Sequence, residues 1–400
     1  MPAASLDRQD IAAEAPADRS ASTNAVTTRV FSSFAEAAPV WRRLATSGHL
    51  TPYQSLDFTE AYSRLVDAPD GRVPVLILLS DAAGVPQLLL PLSISRLGPI
   101  RVASFIGGKH SNYNMPVCAG DPALLDASTL RAALRDAGRK AGIDLFRFSN
   151  QPLDWEGFSN PFARLGGQPS PSAAYRLALS ADGEALLRER LSKETRKKLR
   201  YRESKLAQVG PLSYRRAQTP HEARAVLDDF LRMKAERFRQ QGIDDPFASA
   251  GVRAFLDALA TNSGTLELHA LRVGDRTAAV FGGLSDNSRF CGLFTAFDAD
   301  PAVSQWSPGL VLTTKLVADC CRRGLKTLDL GVGEARYKSQ ICNAEDALFD
   351  SVVPVSVKGR IAAIALDRFV GAKRWAKQSP AAGRAIAMLR RFKAGRGEPN

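Results

Sequence analysis

The chain has 400 residues, 45% of them apolar, and a formal net charge of +13. That length and apolar content suffice for a large core divided over two domains, and no stretch approaches the roughly 20 apolar residues that a membrane-spanning helix needs. Cys118, Cys291, Cys320, Cys321 and Cys342 show neither paired spacing nor a zinc-like pattern, which fits packing roles in a reducing cytoplasm and no metal. No Gly-x-Ser-x-Gly, His-Glu-x-x-His or Walker pattern occurs, so hydrolase and nucleotide-triphosphatase chemistry lack support.

Residues 1–28 are Ala, Ser, Asp and Thr without an apolar centre and read as a disordered tail rather than a secretory signal. A first domain, 29–170, opens with helical patterns at 33–47 and 58–66. Val73–Ser80 and Gln87–Ser93, joined through Asp81-Ala-Ala-Gly84, read as a hairpin. A strand at 101–106, a helix at 130–141 and a strand at 143–148 follow. Between the first of these strands and the helix, Gly107–Asn114 crowds hydrogen-bonding groups into one stretch. His110, Asn112 and Tyr113 are therefore candidates to contact an acceptor, the alternative being a solvated turn.

A linker over 149–181, with Gly and Pro and a strand at 175–179, leads into a second domain, 171–357. Leu186, Leu187, Leu191 and Leu199 run through a basic helix, where nine Lys/Arg stand against three Glu between Arg188 and Lys205. Arg196 and Arg200 suit the phosphate of a coenzyme, a carboxylated acceptor or nucleic-acid phosphates, or form a solvated basic face. Helices at 221–240 and 246–260 precede a second hairpin, Leu266–Leu284, then strand, helix and strand once more. The repeated order points to two related α/β halves.

The most informative stretch is Arg289–Lys338. A strand, Arg289–Phe297, stops near Pro301. Ser307-Pro308-Gly309 then opens a helix, with serine suited to the N-cap and proline to the first position. Leu310, Val311, Leu316, Val317 and Cys320 give its apolar face as far as Arg322-Arg323-Gly324. Lys326–Val332 follows as a strand and completes a βαβ unit. A helix start between parallel strands offers free N–H groups and a positive dipole end to a pyrophosphate. Gln305, Ser307, Pro308, Gly309 and Leu310 would frame that site.

Phe294-x-x-Phe297-Asp298, Ser307-Pro-Gly309, Asp329-Leu-Gly331 and Tyr337-Lys338 together resemble the acyl-CoA site of the GNAT acetyltransferases, and more closely their cellulose-biosynthesis-associated (CelD/BcsL-type) branch. Leu191–Arg200 resembles the basic helix that begins that domain. Thr51-Pro-Tyr-Gln-Ser55 and the first hairpin resemble the branch's N-terminal part, so the likeness spans residues 30–357. The tandem halves are similar to those of Fem peptidyltransferases. Gln305-Trp-Ser-Pro-Gly309 departs from the usual GNAT phosphate loop in spacing and in lacking its second glycine.

The resemblance implies an α/β (α+β) fold of two tandem GNAT-like domains, each a mixed, mostly antiparallel sheet flanked by helices. It implies an acyl-CoA-dependent N- or O-acyltransferase using acetyl-CoA on a sugar, amino sugar or polysaccharide precursor, without a metal. A backbone N–H along Phe294, Thr295, Ala296 and Phe297 would hold the oxyanion. Tyr337 would protonate the leaving thiolate or anchor a substrate, Asp329 and Glu334 would orient or deprotonate the acceptor, and Lys338 would pair with a carboxylate or phosphate.

A Fem-like transfer from aminoacyl-tRNA through the basic helix, or a non-enzymatic role in exopolysaccharide assembly, are the other readings. Residues 358–400 carry eleven Lys/Arg against two acids, with Ile361, Ile364, Ala365, Phe369, Val370 and Trp375 at roughly helical spacing. They suit a helix on the protein body or on the anionic inner face of a membrane, around an otherwise cytoplasmic protein.

Overall fold

The computed structural model describes residues 26–120, 126–286 and 288–378. Most of the expected N-terminal tail and the basic segment beyond residue 378 lie outside these. The first part of the chain runs β1 (Thr27–Phe31), α1 (Phe34–Ser47), α2 (Leu56–Tyr62), β2 (Val73–Ser80), β3 (Pro86–Leu97), β4 (Ile100–Phe105), β5 (Val117–Cys118), α3 (Ala127–Lys140) and β6 (Leu145–Pro152). The short strands β7 (Asp154–Trp155), β8 (Phe158–Ser159) and β9 (Gln168–Pro169) follow. Strand β1 takes in Thr27 and Thr28, which sequence alone assigned to the tail.

The second part begins with β10 (Ala174–Ala178), α4 (Gly183–Arg190), α5 (Lys193–Val209), β11 (Leu212–Arg216), α6 (Pro220–Gln241) and α7 (Ala250–Thr261). Strands β12 (Leu266–Val273), β13 (Arg276–Ser285) and β14 (Arg289–Phe297) lead through α8 (Pro301–Ser304) and α9 (Pro308–Arg322) to β15 (Thr327–Val332). The chain continues with α10 (Arg336–Ile341), β16 (Ala344–Asp346), β17 (Leu348–Pro354) and α11 (Val357–Gln378). Ser192 splits the expected basic helix by capping α5, its hydroxyl accepting from Thr195 N at 3.1 Å. Helix α6 is bounded by a Thr219–Glu222 capping box and by Gly242 in the left-handed conformation.

The strands form two sheets of the same plan. Their orders are β1-β2-β3-β4-β6-β17-β9, with β5 beside β3, and β11-β12-β13-β14-β15-β10-β16. In each, a meander of antiparallel strands is followed by one parallel pair, β4 with β6 and β14 with β15, bridged by α3 or by α8 and α9. The halves also exchange a strand. Strand β10 lies beside β15 in the second sheet, whereas β17, from the far end of the chain, lies beside β6 in the first. Residues 348–354 therefore complete the first sheet, although the sequence grouped them with the second domain. Which sheet takes a short strand is decided by partners far away in sequence, and local pattern does not carry that.

Strands β2 and β3 read as near-continuous apolar runs because both of their faces are covered. One core cluster joins the first sheet and its helices to α6, α7 and the near face of the second sheet. Phe255 of α7 packs edge-on against Phe58 and Tyr62 of α2, with centroids 5.2 and 5.0 Å apart. Phe230 of α6 stacks on Phe294 of β14 at 3.9 Å. A second cluster lies on the other face of the second sheet, under α4, α5 and α9. Among the described residues, no helix is long and apolar enough to cross a membrane.

Candidate active site

The parallel contact of β14 with β15 is short. Only Arg289–Cys291 pairs with Thr327–Asp329, while β14 runs on to Phe297. Gly283 pairs with Gly292 and Gly282 with Phe294, so Leu293 is left over as a bulge on β14 where the parallel pairing ends. Bulges re-aim backbone groups and are frequent beside active sites. Beyond that point Leu293–Phe297 lines a gap between the two strands.

Helix α9 starts at the mouth of this gap. A Cβ added to Gly309 would meet only Phe297, at 3.8 Å, so a ligand can approach the helix end closely. The supply of free amides is smaller than a helix N-terminus usually offers. Trp306 N and Ser307 N donate to Val303 O and Ser304 O, and Leu310 N and Val311 N both donate to Ser307 O. Pro308 has no N–H. Between Trp306 and Val311 this leaves the Gly309 amide. Ser307 stands at the expected cap position but in the left-handed region, φ 51° and ψ 56°, and its side chain makes no cap bond. Between the end of β14 and α9 the chain forms α8, and Gln305 after it is exposed.

Basic groups stand alongside. Tyr201 of α5 rests edge-on against Trp306, with centroids 5.9 Å apart, and Glu203 pairs with Lys315 of α9 at 3.0 Å. Lys198 is held by Glu194 at 2.5 Å. Arg196, Lys197 and Arg200 have no acidic partner among the described residues, and Arg200 is exposed. On the α6 side, a cleft of about 670 Å³ is lined by Arg232, Glu236, Arg239, Asp298, Asp300 and Pro301. It adjoins the end of β14.

Asp329 is fully buried and its oxygens are engaged. It accepts from Arg289 Nη2 at 2.5 Å, from Gly331 N at 2.5 Å and from the Tyr113 hydroxyl. Arg289, 4% exposed, also reaches Asp346 at 3.1 Å and Glu156 at 3.5 Å, and its guanidinium lies 4.1 Å from the Trp155 ring. Burial opposes its charge, but Asp329 holds its pKa above the ordinary arginine value. Asp346 in turn binds Arg176 at 2.6 Å. This network ties the halves together and floors a second cleft of about 340 Å³. Asp329 is thus a joint rather than a free base, which corrects the acceptor role expected of it. Arg289, opening an otherwise apolar strand, is the residue that the sequence reading passed over.

The residues after β15 divide. Lys338, 7% exposed, donates to the carbonyls of Gly331, Val332 and Gly333 at 3.0, 3.2 and 3.0 Å. All three donors are engaged in holding the strand exit, so the expected carboxylate or phosphate partner is replaced by backbone. Tyr337 lies on α10. It is half-buried against the cluster that contains Phe297, Trp306 and Leu310, and burial, with a smaller effect of Cys342, pushes its phenol up to about 12. Glu334 is exposed.

The Gly107–Asn114 loop also departs from its reading. Asn112 donates to Gly292 O at 2.9 Å and to the Tyr53 hydroxyl at 3.0 Å, and Tyr113 is bound to Asp329. Asn114 is bonded along β6 of the first sheet, donating to Ser149 O at 2.8 Å and, from its backbone N, to Asn150 O at 3.0 Å. His110 is buried, 5.7 Å from the Phe247 ring and 6.4 Å from that of Phe255. The loop is the joint between halves, and these groups are turned to the protein rather than to an acceptor.

His110 gives a pH prediction. Burial, then Lys109, pulls its pKa from 6.5 to about 4. Between those values the unfolded chain binds the extra proton, so stability rises with pH and is lost as pH falls from 6.5 towards 4. The His110→Gln variant is expected to lack this part of the pH dependence, about 2–3 kcal/mol over the window. Urea unfolding of both proteins at pH 4.5 and 7.5 checks it; parallel losses would refute it.

The comparisons with known proteins bear on the fold and on the second half. Residues 193–339 match the family model described as an acetyltransferase (GNAT) domain, a span from the start of α5 into α10 that includes the gap, Gly309 and Tyr337. The crystal structure of FemX is similar at 11% identity, covering 85% of this chain and 100% of that one with a TM-score of 0.58. A conserved protein of unknown function from Bacteroides thetaiotaomicron is 14% identical, covering 82% and 100%, with a TM-score of 0.51. The C-terminal domain of a putative lysylphosphatidylglycerol synthetase from Agrobacterium fabrum is 14% identical, covering 84% and 97%, with a TM-score of 0.50. No curated protein matches the chain in sequence. The fold is two GNAT-like halves, and the domain match supports an acyltransferase enzyme. Neither likeness singles out the cellulose-associated branch. Among the described residues no cluster of His, Cys, Asp and Glu is arranged to hold a metal.

Proposed function

We propose that the second half transfers an acyl group from acyl-CoA to a hydroxyl or amine by direct attack on the thioester. The observation that carries this reading is the gap between β14 and β15, with the Leu293 bulge on its wall and the open Gly309 helix start at its mouth. Gly309 N–H would meet the donor's pyrophosphate, and Arg196, Lys197 and Arg200 its remaining phosphate. Backbone amides on the released Leu293–Phe297 segment would bind the thioester oxygen as charge develops. The acceptor's lone pair forms the new bond, the C–S bond breaks, and Tyr337, protonated at neutral pH, gives its proton to the thiolate. Glu334 is the exposed carboxylate available to receive the acceptor's proton. Holding both substrates supplies much of the remaining rate, since effective molarities reach about 10⁵ M or more. A sugar, amino sugar or polysaccharide precursor as acceptor, entering by the cleft beside α6, rests on family likeness alone.

A second reading, transfer from aminoacyl-tRNA, is favoured by the single free amide at the start of α9 and by the unpaired basic groups of α5. Thiol release from acetyl-CoA across a panel of sugars and amino sugars separates the two. Release that depends on an acceptor supports the first. No release, together with consumption of charged tRNA and salt-sensitive tRNA binding, replaces it with the second.

A further inference from the structure

Helix α11 follows β17, a strand of the first sheet, and packs on a face of that sheet. Ala362 and Ala363 are buried there against Val102 and Leu145, with Ile100, Val352 and Leu366 partly buried around them. Among the described residues, nothing covers the opposite side. Val357 is 76% exposed, Ile361 67% and Ile364 59%, more than any other described large apolar side chain. Their spacing of four and three residues puts them on one stripe. Arg360 and Arg368, both exposed, fall on the same stripe. At the β3–β4 turn, Leu97 is 52% exposed, next to exposed Arg96, and Lys358 Nζ reaches Pro99 O of that turn at 3.1 Å. The exposed stripe of the helix therefore stands beside the exposed β3–β4 turn, with Arg96, Arg360 and Arg368 along it.

We propose that this surface docks on an anionic lipid bilayer, with Val357, Ile361, Ile364 and Leu97 entering the headgroup boundary and Arg96, Arg360 and Arg368 meeting lipid phosphates. An interfacial helix of this kind combines an aliphatic stripe with cations whose long stems lie along it. The charge fits: the chain from residue 358 onward carries eleven Lys/Arg against two acids. Nucleic acid would use the cations but not the aliphatic stripe. A second copy of this chain would bring like charges face to face. The proposal is independent of the transferase reading, because α11 packs on the first sheet and the candidate site lies in the second.

The test is co-sedimentation of the full chain with phosphatidylcholine vesicles, with and without phosphatidylglycerol. The variants are Ile361→Ser/Ile364→Ser and Arg360→Glu/Arg368→Glu, whose altered side chains face outward, with melting temperature as the folding control. Binding is expected to require phosphatidylglycerol, to weaken with salt, and to fall about tenfold or more in each variant. No binding, equal binding to neutral vesicles, or variants that bind like the wild type would overturn the proposal. So would a dimer that the Ile361→Ser/Ile364→Ser variant abolishes, or tRNA binding that it alone impairs, since either assigns the stripe to another occupant.

Discussion

Replacing Asp329 with alanine is expected to destabilise the protein by about 3–5 kcal/mol, the usual range when one partner of a buried ion pair is removed. Arg289, 4% exposed, would lose its acidic partner at 2.5 Å and keep only the longer ion pairs with Asp346 and Glu156, at 3.1 and 3.5 Å. The Tyr113 hydroxyl and Gly331 N would lose their acceptor as well. Tyr113→Phe removes only the hydroxyl that donates to Asp329 and accepts from Arg289 Nη2 at 3.3 Å, leaves the ion pair in place, and is expected to cost less, about 1–2 kcal/mol. Replacing the pair together, Asp329→Ala with Arg289→Met, should recover part of the loss, because no charge is then left buried alone. Urea unfolding of the four proteins decides the matter. A loss under about 1 kcal/mol for Asp329→Ala would mean that the network does not hold the halves together.

Gly309→Glu is expected to weaken acyl-CoA binding and acyl transfer at least about 100-fold while leaving the fold intact, since a misplaced like charge costs several kcal/mol. The intact fold follows from the open space at Gly309, where an added Cβ meets only Phe297 at 3.8 Å. A carboxylate in the first turn also favours the helix dipole, so α9 should not loosen. It would, however, stand where the donor's phosphates are to lie. Activity and acyl-CoA affinity measured beside the melting temperature check this. A stable variant with wild-type affinity would move the donor site elsewhere.

Much of the architecture was legible because it is written locally. The hairpins, the βαβ unit and the repeat of both came from period, turn residues and the Pro308 and Gly324 boundaries of α9. The exchange of β10 and β17 was not legible, because neither strand's residues name the sheet that receives it. The loop at 107–114 was misread for a physical reason. Its polar residues were read as facing an acceptor or solvent, yet Asn112 and Tyr113 are bonded to Gly292 O and Asp329, both in the other half. Lys338 was misread in the same way, its partners being backbone carbonyls, which no side-chain pattern shows. Gly309 and Tyr337, both singled out from the sequence, stand near Phe297 and the cluster it packs against.

The proposed donor site is the gap between β14 and β15 alone; at the corresponding place in the first half, Asn114 is bonded along β6. Calorimetric titration with acetyl-CoA, combined with hydrogen exchange of the complex, tests it most directly. The account predicts one acetyl-CoA per chain, with protection concentrated in Leu293–Phe297 and Ser307–Val311. No binding at millimolar ligand, or protection centred on β4, β6 and the 107–114 loop, would contradict it.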